Sequence, residues 1–220
     1  MTTSYQLPDL NRGFVRTNIR TVEQRAALLQ EFLPEEQSVG EICCGDCLHQ
    51  WQTYTEKLKI REFLGLDIEP LIVKANSKRG IPCFCGDALD REALKRFLGF
   101  DVIFFGPPLS VTCDGHRLFS FREVVPAYGE FLPLLVGELA YRGTVICICP
   151  KTTTLGDVRT LYTRMKSIHD GFGVPIINYS YSNITSDGSM HEMRLKYVEV
   201  WFSTLLGDYW ETRESKPFES

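Results

Sequence analysis

The chain has 220 residues, 44% of them hydrophobic and 24% charged, with a formal net charge of −4. That size and apolar fraction suit one globular domain with a sizeable core, and the slight acidity excludes a global polyanion-binding surface, so any nucleic-acid contact must come from a local basic patch. No apolar run is long enough to span a bilayer, and the N-terminal Met1-Thr-Thr-Ser-Tyr-Gln carries no signal-peptide pattern, so the expectation is a cytoplasmic chain with reduced thiols and no membrane partner.

The predicted elements alternate. Thr21 to Phe32 has apolar residues at helical spacing (Val22, Ala26, Leu28, Leu29, Phe32), with Thr21 as its N-cap and Pro34 beyond its end. Ser38 to Cys44 reads as a first strand, Leu48 to Leu58 as a polar helix and Phe63 to Asp67 as a second strand. Pro70 to Ser77 is a helix, Pro82 to Cys85 a third strand and Asp90 to Leu98 an amphipathic helix. Val102 to Phe105 is a short run of β-branched and aromatic residues, the pattern of a strand covered on both faces. Two prolines follow it and forbid further pairing.

Ser110 to Ser120 is irregular and polar, and Val124 to Tyr141 is helical with an interruption at Pro133. Thr144 to Cys149 is a fifth strand, Leu155 to His169 a basic helix and Val174 to Tyr181 a sixth strand. Asn183 to Glu192 is a polar loop before a seventh strand, Lys196 to Thr204. Strands alternating with helices predict a doubly wound α/β domain with a mostly parallel sheet and helices on both faces. The last two strands have no helix between them and form an antiparallel pair. The chain is a single domain over 1–220, its core spanning about 16–204, with a polar tail after Gly207.

The eight cysteines are Cys43, Cys44, Cys47, Cys83, Cys85, Cys113, Cys147 and Cys149. Most lie in apolar strand-like runs, where a free thiol acts as a small hydrophobe. Cys44-Gly-Asp-Cys47 has the spacing of a redox or metal pair, but a second such pair is missing, and Cys-x-Cys on a strand is not a zinc-ribbon geometry. Core packing is therefore preferred, and no metal is expected.

Chemistry gathers at the carboxyl ends of the strands, where open α/β sheets bind ligands. The first strand runs into Glu41-Ile-Cys-Cys-Gly-Asp-Cys47, whose glycine lets a ligand approach the backbone beside a helix N-terminus. The second ends at Asp67, where an acid holds a ribose diol. The third leads to Gly86-Asp87-Ala88, the fourth to Gly106-Pro107-Pro108-Leu109. Any one such acid is more often a helix cap; four consecutive strand ends make a cleft.

On these residues the chain, from about Arg16 to Thr204, resembles the class I S-adenosylmethionine-dependent methyltransferases. The resemblance implies sheet order 3-2-1-4-5-7-6 with strand 7 antiparallel, the closing hairpin lying around Tyr197-Val-Glu-Val-Trp-Phe202. It implies that S-adenosylmethionine is held by Glu41, Cys43 and Gly45 at its methionine part, by Asp67 with Ile68 at the ribose, by Asp87 and Ala88 at the adenine, and by Gly106. Cys43 and Cys47 stand where the family usually has glycines. Gly106-Pro107-Pro108-Leu109 resembles the fourth motif of nucleic-acid methyltransferases without matching a subtype. Amine-directed enzymes carry a polar residue before the prolines and an aromatic after them, and cytosine-C5 enzymes a cysteine where Leu109 stands. Leucine cannot form that covalent adduct. The carbonyls of Phe105 or Gly106 remain as acceptors for an amine.

Ser110, Thr112, Asp114, His116 and Arg117 follow this turn, and His116 is the candidate base near neutral pH, although Asp114-Gly115 also reads as a plain turn. Arg117, Arg122, Lys151, Arg159, Arg164, Lys166 and His169 form the candidate patch for RNA or DNA, with Tyr128, Tyr162, Tyr179 and Tyr181 available to stack bases. The plainer use of such charges is a solvated helix face. The readings kept are a methyltransferase acting on a nucleic-acid or nucleotide-like nitrogen, a degenerate methyltransferase fold serving as a scaffold or needing a partner subunit, and a methyltransferase of a small molecule or protein. An NAD-binding oxidoreductase ranks last, because Gly-x-Gly-x-x-Gly is absent after the first strand.

Overall fold

The computed structural model describes residues 15–32, 36–88, 90–106, 143–150, 153–168, 172, 175–184 and 193–203. In chain order the elements are β1 (Val15–Thr17), α1 (Ile19–Phe32), β2 (Gln37–Ile42), α2 (Leu48–Lys57), β3 (Ile60–Asp67), α3 (Pro70–Lys78), β4 (Cys83–Cys85), α4 (Arg91–Leu94, continued by a 3-10 turn at Lys95–Phe97), β5 (Val102–Phe105), β6 (Thr144–Pro150), α5 (Leu155–Ile168), β7 (Ile176–Ile184) and β8 (Met193–Ser203). The helix expected from Val124 to Tyr141 lies outside the described residues.

All these strands form one sheet, in the order β1-β7-β8-β6-β5-β2-β3-β4. Pairings among β4, β3, β2, β5 and β6 are parallel, while β8 runs antiparallel to both β6 and β7. Counted from Gln37 onward, this is the predicted order 3-2-1-4-5-7-6. The expected seven strands become eight, because Val15–Thr17 pairs antiparallel with Ser182–Ile184 at the far edge. A three-residue strand has too little pattern to read from sequence; its partner β7 defines it. The expected loop from Asn183 is also shorter, since Asn183 and Ile184 pair with Arg194 and Met193.

The strand alternation sorts the core onto two faces. Val22, Ala26 and Leu29 of α1 and Tyr54 of α2 pack on Val39, Phe104, Ile146 and Trp201. Leu94, Phe97, Leu161 and Met165 cover Ile42, Ile103, Phe105, Cys147 and Phe202 on the other. Each fully buried aliphatic or aromatic side chain contributes about 1.5–3 kcal/mol. Helix starts are capped by short polar side chains. Glu69 accepts from the Leu71 amide at 3.0 Å ahead of Pro70, Asp90 accepts from the Glu92 amide at 3.0 Å, and Thr154 and Asp157 cap α5 reciprocally. At α1 the cap is Asn18, whose Oδ1 accepts from the Arg20 amide at 3.0 Å. Thr21, expected to cap, lies inside the helix and is buried.

Candidate functional site

The parallel registers align the strand ends. Ile42 sits beside Leu66 on one side and Phe105 on the other, and Asp67 beside Cys85. The segments Cys43–Cys47, Asp67–Glu69, Gly86–Ala88 and Gly106 therefore leave the sheet next to one another. The chain reverses sharply after β2, with Cys43 at φ 57° and Gly45 at φ 54°. Left-handed backbone at a non-glycine residue costs about 1–2 kcal/mol, and Cys43 carries that strain at the head of the turn. Gly106 lies against this turn, its amide donating to the Ile42 carbonyl at 3.1 Å. A Cβ on Gly106 would meet Ile148 at 3.2 Å and the Cys43 carbonyl at 4.0 Å, so glycine keeps the gap between the strand ends open.

Asp67 ties the cleft together. One carboxylate oxygen accepts from the Gly45 amide and the other from the Glu69 amide, each at 2.9 Å. Partial burial raises its pKa, and these backbone N–H groups oppose the rise by favouring the anion. Each oxygen keeps lone-pair capacity for a further donor. Next to it Ile68 is 53% exposed, an apolar surface beside a hydrogen-bonding acid. Asp87 is exposed and Ala88 half-buried against the core. Burial pushes the Cys43 thiol well up, and the Asp67 and Asp87 carboxylates add to the effect. The structure thus brings together Cys43, Gly45, Asp67, Ile68, Asp87, Ala88 and Gly106.

Glu41 departs from the expectation. It is 3% exposed, and its carboxylate is engaged in the interior. Tyr54 donates to it at 3.4 Å, and Arg25 Nη1 lies 3.8 Å away. The guanidinium itself belongs mainly to Glu199, with Nε 2.8 Å and Nη2 2.6 Å from Oε1, and it lies 4.7 Å from the Phe104 ring centroid. Trp201 Nε1 donates to the other Glu199 oxygen at 3.1 Å. One cation faces two carboxylates. Burial, with Glu199 adding to it, pushes the Glu41 carboxyl up to about 7 against the opposing pull of Arg25. On β2 Glu41 alternates with Ile42 and faces α1 and α2; it lies two register positions deeper than Asp67 on that face, where the helices cover it. Arg25 and Glu199, which hold Glu41 in the interior, leave only faint traces in the sequence. Their signals were an arginine three residues after Val22 on an apolar helix stripe, and a glutamate inside Val198-Glu-Val-Trp201.

Helix α3 holds the turn from the other side. Asn76 Nδ2 donates to the Gly45 carbonyl at 2.8 Å, and Arg79 pairs with the buried Asp46 at 2.8 Å. Pro107, Pro108, Leu109 and His116 lie outside the described residues, as do Ser110, Thr112, Asp114, Arg117, Arg122, Tyr128, Lys151 and His169. Arg159, Arg164 and Lys166 are exposed on α5, while Tyr162 is half-buried against the core. No described helix is long and apolar enough to cross a membrane.

No family model and no curated protein sequence matches the chain. Solved structures do match its shape. A candidate RNA methyltransferase from Pyrococcus horikoshii superposes with a TM-score of 0.55 at 14% identity, over 90% of each chain. A plantazolicin methyltransferase in complex with SAH gives 0.50 at 14% identity, covering 83% of this chain and 82% of that one. Spermidine synthase from Thermotoga maritima also gives 0.50 at 14% identity, covering 86% of this chain and 60% of that one. The chain shares its fold with these methyltransferases and with spermidine synthase. At 14% identity these likenesses speak to architecture, and the chemistry must be argued from the side chains. The strand ends present an acid with both oxygens oriented, an exposed isoleucine and an open backbone gap at Gly106, while Glu41 is turned inward.

Proposed function

We propose that this chain is an S-adenosylmethionine-dependent methyltransferase acting on a nitrogen of a nucleic acid or nucleotide-like molecule. The observation that carries the reading is Asp67, a carboxylate fixed at a strand end by the Gly45 and Glu69 amides beside exposed Ile68. In this reading Asp67 accepts hydrogen bonds from the ribose hydroxyls, and Ile68 and Ala88 line the adenine. Asp87 stands near the adenine amine. The Cys43–Gly45 turn and Gly106 bring backbone close to the methionine part. When bound, the donor supplies a methyl group made electrophilic by a positively charged sulfur. The chain's task is then to fix that group, exclude water and accept hydrogen bonds from the attacking amine, for which the Gly106 carbonyl, and Pro107 to Leu109 beyond it, are the nearest groups in sequence. His116 is the candidate proton acceptor. RNA or DNA would be met by Arg117, Arg122, Lys151, Arg159, Arg164 and Lys166.

A second reading has a specific observation behind it. With Glu41 committed to Arg25 and Tyr54 and with Cys43 in a glycine-type conformation, the turn supports a degenerate fold that binds a partner without turnover. A small-molecule or protein acceptor is the remaining substrate class. Calorimetric titration of the reduced protein with S-adenosylmethionine and S-adenosylhomocysteine, followed by radiolabelled methyl transfer to RNA, DNA and small amines, separates these readings. Micromolar donor binding with labelled nucleic acid supports the first. Binding without transfer supports the second, and no binding by either compound removes the enzyme reading.

A further inference from the structure

Beneath the cleft, on the side of the sheet that carries α3, two thiols from different strands meet. Cys44 is the second residue of the turn after β2, and Cys83 opens β4. Their sulfurs are 3.6 Å apart. What lets them meet is Gly65 on the intervening strand β3: a Cβ there would lie 3.0 Å from the Cys44 sulfur and 3.2 Å from that of Cys83. The amide of Asn76 points at both, with Nδ2 3.9 Å from Cys44 Sγ and 4.0 Å from Cys83 Sγ. The two thiols differ in environment. Cys44 is buried, 6% exposed, and its hydrogen bonds to Cys47 and Cys83 hold its proton on. Cys83 is half-buried, and the Cys44 S–H and then Asn76 stabilise its anion against the cost of burial, lowering its pKa. The less buried thiol, with donors placed to stabilise its anion, is the nucleophilic member of such a pair.

We propose that Cys83 and Cys44 form an oxidisable thiol pair, with Cys83 attacking a small disulfide such as glutathione disulfide and Cys44 resolving the product. The Cys83 thiolate attacks one sulfur of the small disulfide; that S–S bond breaks, a mixed disulfide forms on Cys83, and one small thiolate leaves with the bonding electron pair. Cys44 then loses its proton to solvent and attacks Cys83 Sγ, releasing the second small thiolate. Two protein thiols are oxidised and one disulfide is reduced to two thiols. The sulfurs close from 3.6 Å to about 2.05 Å through the gap over Gly65. The exchange itself uses no methyl-transfer chemistry, although Cys44 lies within the Cys43–Gly45 turn.

Cys85 makes the test discriminating, because it is the exposed thiol on the same strand. If access alone governed reaction, Cys85 would react first. The full chain, reduced and then incubated with glutathione disulfide near pH 7, is digested without reductant and mapped by mass spectrometry over time. The expected course is a mixed disulfide at Cys83 forming about tenfold faster than at Cys85, followed by peptides joined through Cys44 and Cys83. Cys44→Ser should trap the mixed disulfide on Cys83. Reaction first at Cys85, a joined Cys83–Cys85 product, or a mixed disulfide on Cys83 that persists in the unmutated chain would each overturn the proposal. The unmutated chain alone decides it, so nothing depends on a variant folding.

Discussion

Glu41 and Asp67 are carboxylates on neighbouring parallel strands, both close to the turn at 43–47. Asp67 stands at the end of its strand, keeps contact with solvent and spends its charge on two backbone amides. Glu41 stands one residue short of its strand end, is buried, and shares a single guanidinium with Glu199. The first arrangement leaves an anion with spare acceptor capacity at the mouth of a cleft. The second leaves an excess carboxylate in a low-dielectric core, where ionisation is costly. Glu41 pairs with Gly65, so Asp67 lies two register positions further on and shares its face. The lesson is that two residues of depth along one face, from under the helices to the strand end, decide whether an acid serves the core or reaches the cleft.

The largest effect expected from breaking this contrast is at its cation. Arg25→Ala leaves Glu199 buried without its ion pair and should cost about 3–5 kcal/mol, read by urea unfolding. A combined Arg25→Met, Glu41→Gln, Glu199→Gln variant should recover most of that loss. Unchanged stability in the single variant would show that the buried pair does not hold the core.

Next is the open acid. Asp67→Ala should weaken S-adenosylmethionine binding about a hundredfold, or about 2.7 kcal/mol, in calorimetry. A variant that binds like the parent would remove Asp67 from the site.

The inward acid gives a smaller effect with a definite sign. Glu41 in the folded chain titrates at about 7 rather than 4.5. The folded state therefore holds a proton that the unfolded chain has released, and the stability it contributes is full below about 4.5 and lost as pH rises through about 7. Glu41→Gln should flatten unfolding stability across that window and gain on the order of 2 kcal/mol at pH 8. An unaltered pH slope would contradict a raised Glu41.

The smallest change is at the turn itself. Cys43→Gly relieves a left-handed side chain but adds freedom to the unfolded chain, so stability should move by no more than about 1 kcal/mol by thermal unfolding. A loss much beyond that would mean the thiol packs as part of the cleft wall.

The sheet order and most helices were legible because the strands are near-continuous apolar runs separated by polar helices, and β5 shows this best: Val102, Ile103, Phe104 and Phe105 are all buried. Asp67 and Gly106 were legible because a strand end followed by a turn fixes where a residue sits. The burial of Glu41 was not legible, because the motif gives its position along the chain while its depth under α1 and α2 is set by the packed fold. Arg25 and Glu199 pass unnoticed for a related reason. Each sits in an apolar pattern that says "core", and only the fold brings together two residues 174 positions apart. Asn18 displaced Thr21 as the cap because β1 ends at Thr17, a boundary set by pairing with β7.

That separation also governs the order in which the protein can finish itself during synthesis. Helix α1 emerges early with Arg25 on its core-facing side, while the carboxylate that neutralises it most closely belongs to the last strand of the sheet. At translation speeds of about 5–20 residues per second, the guanidinium waits roughly ten to thirty seconds for its partner. In that interval α1 cannot bury its stripe without burying an incompletely paired cation, so the nascent chain should stay open to protease until β8 has left the ribosome. Limited proteolysis of nascent chains stalled before and after Glu199 would reveal this as a step in protection; a chain already protected when stalled at residue 192 would show that α1 docks without its counter-charge.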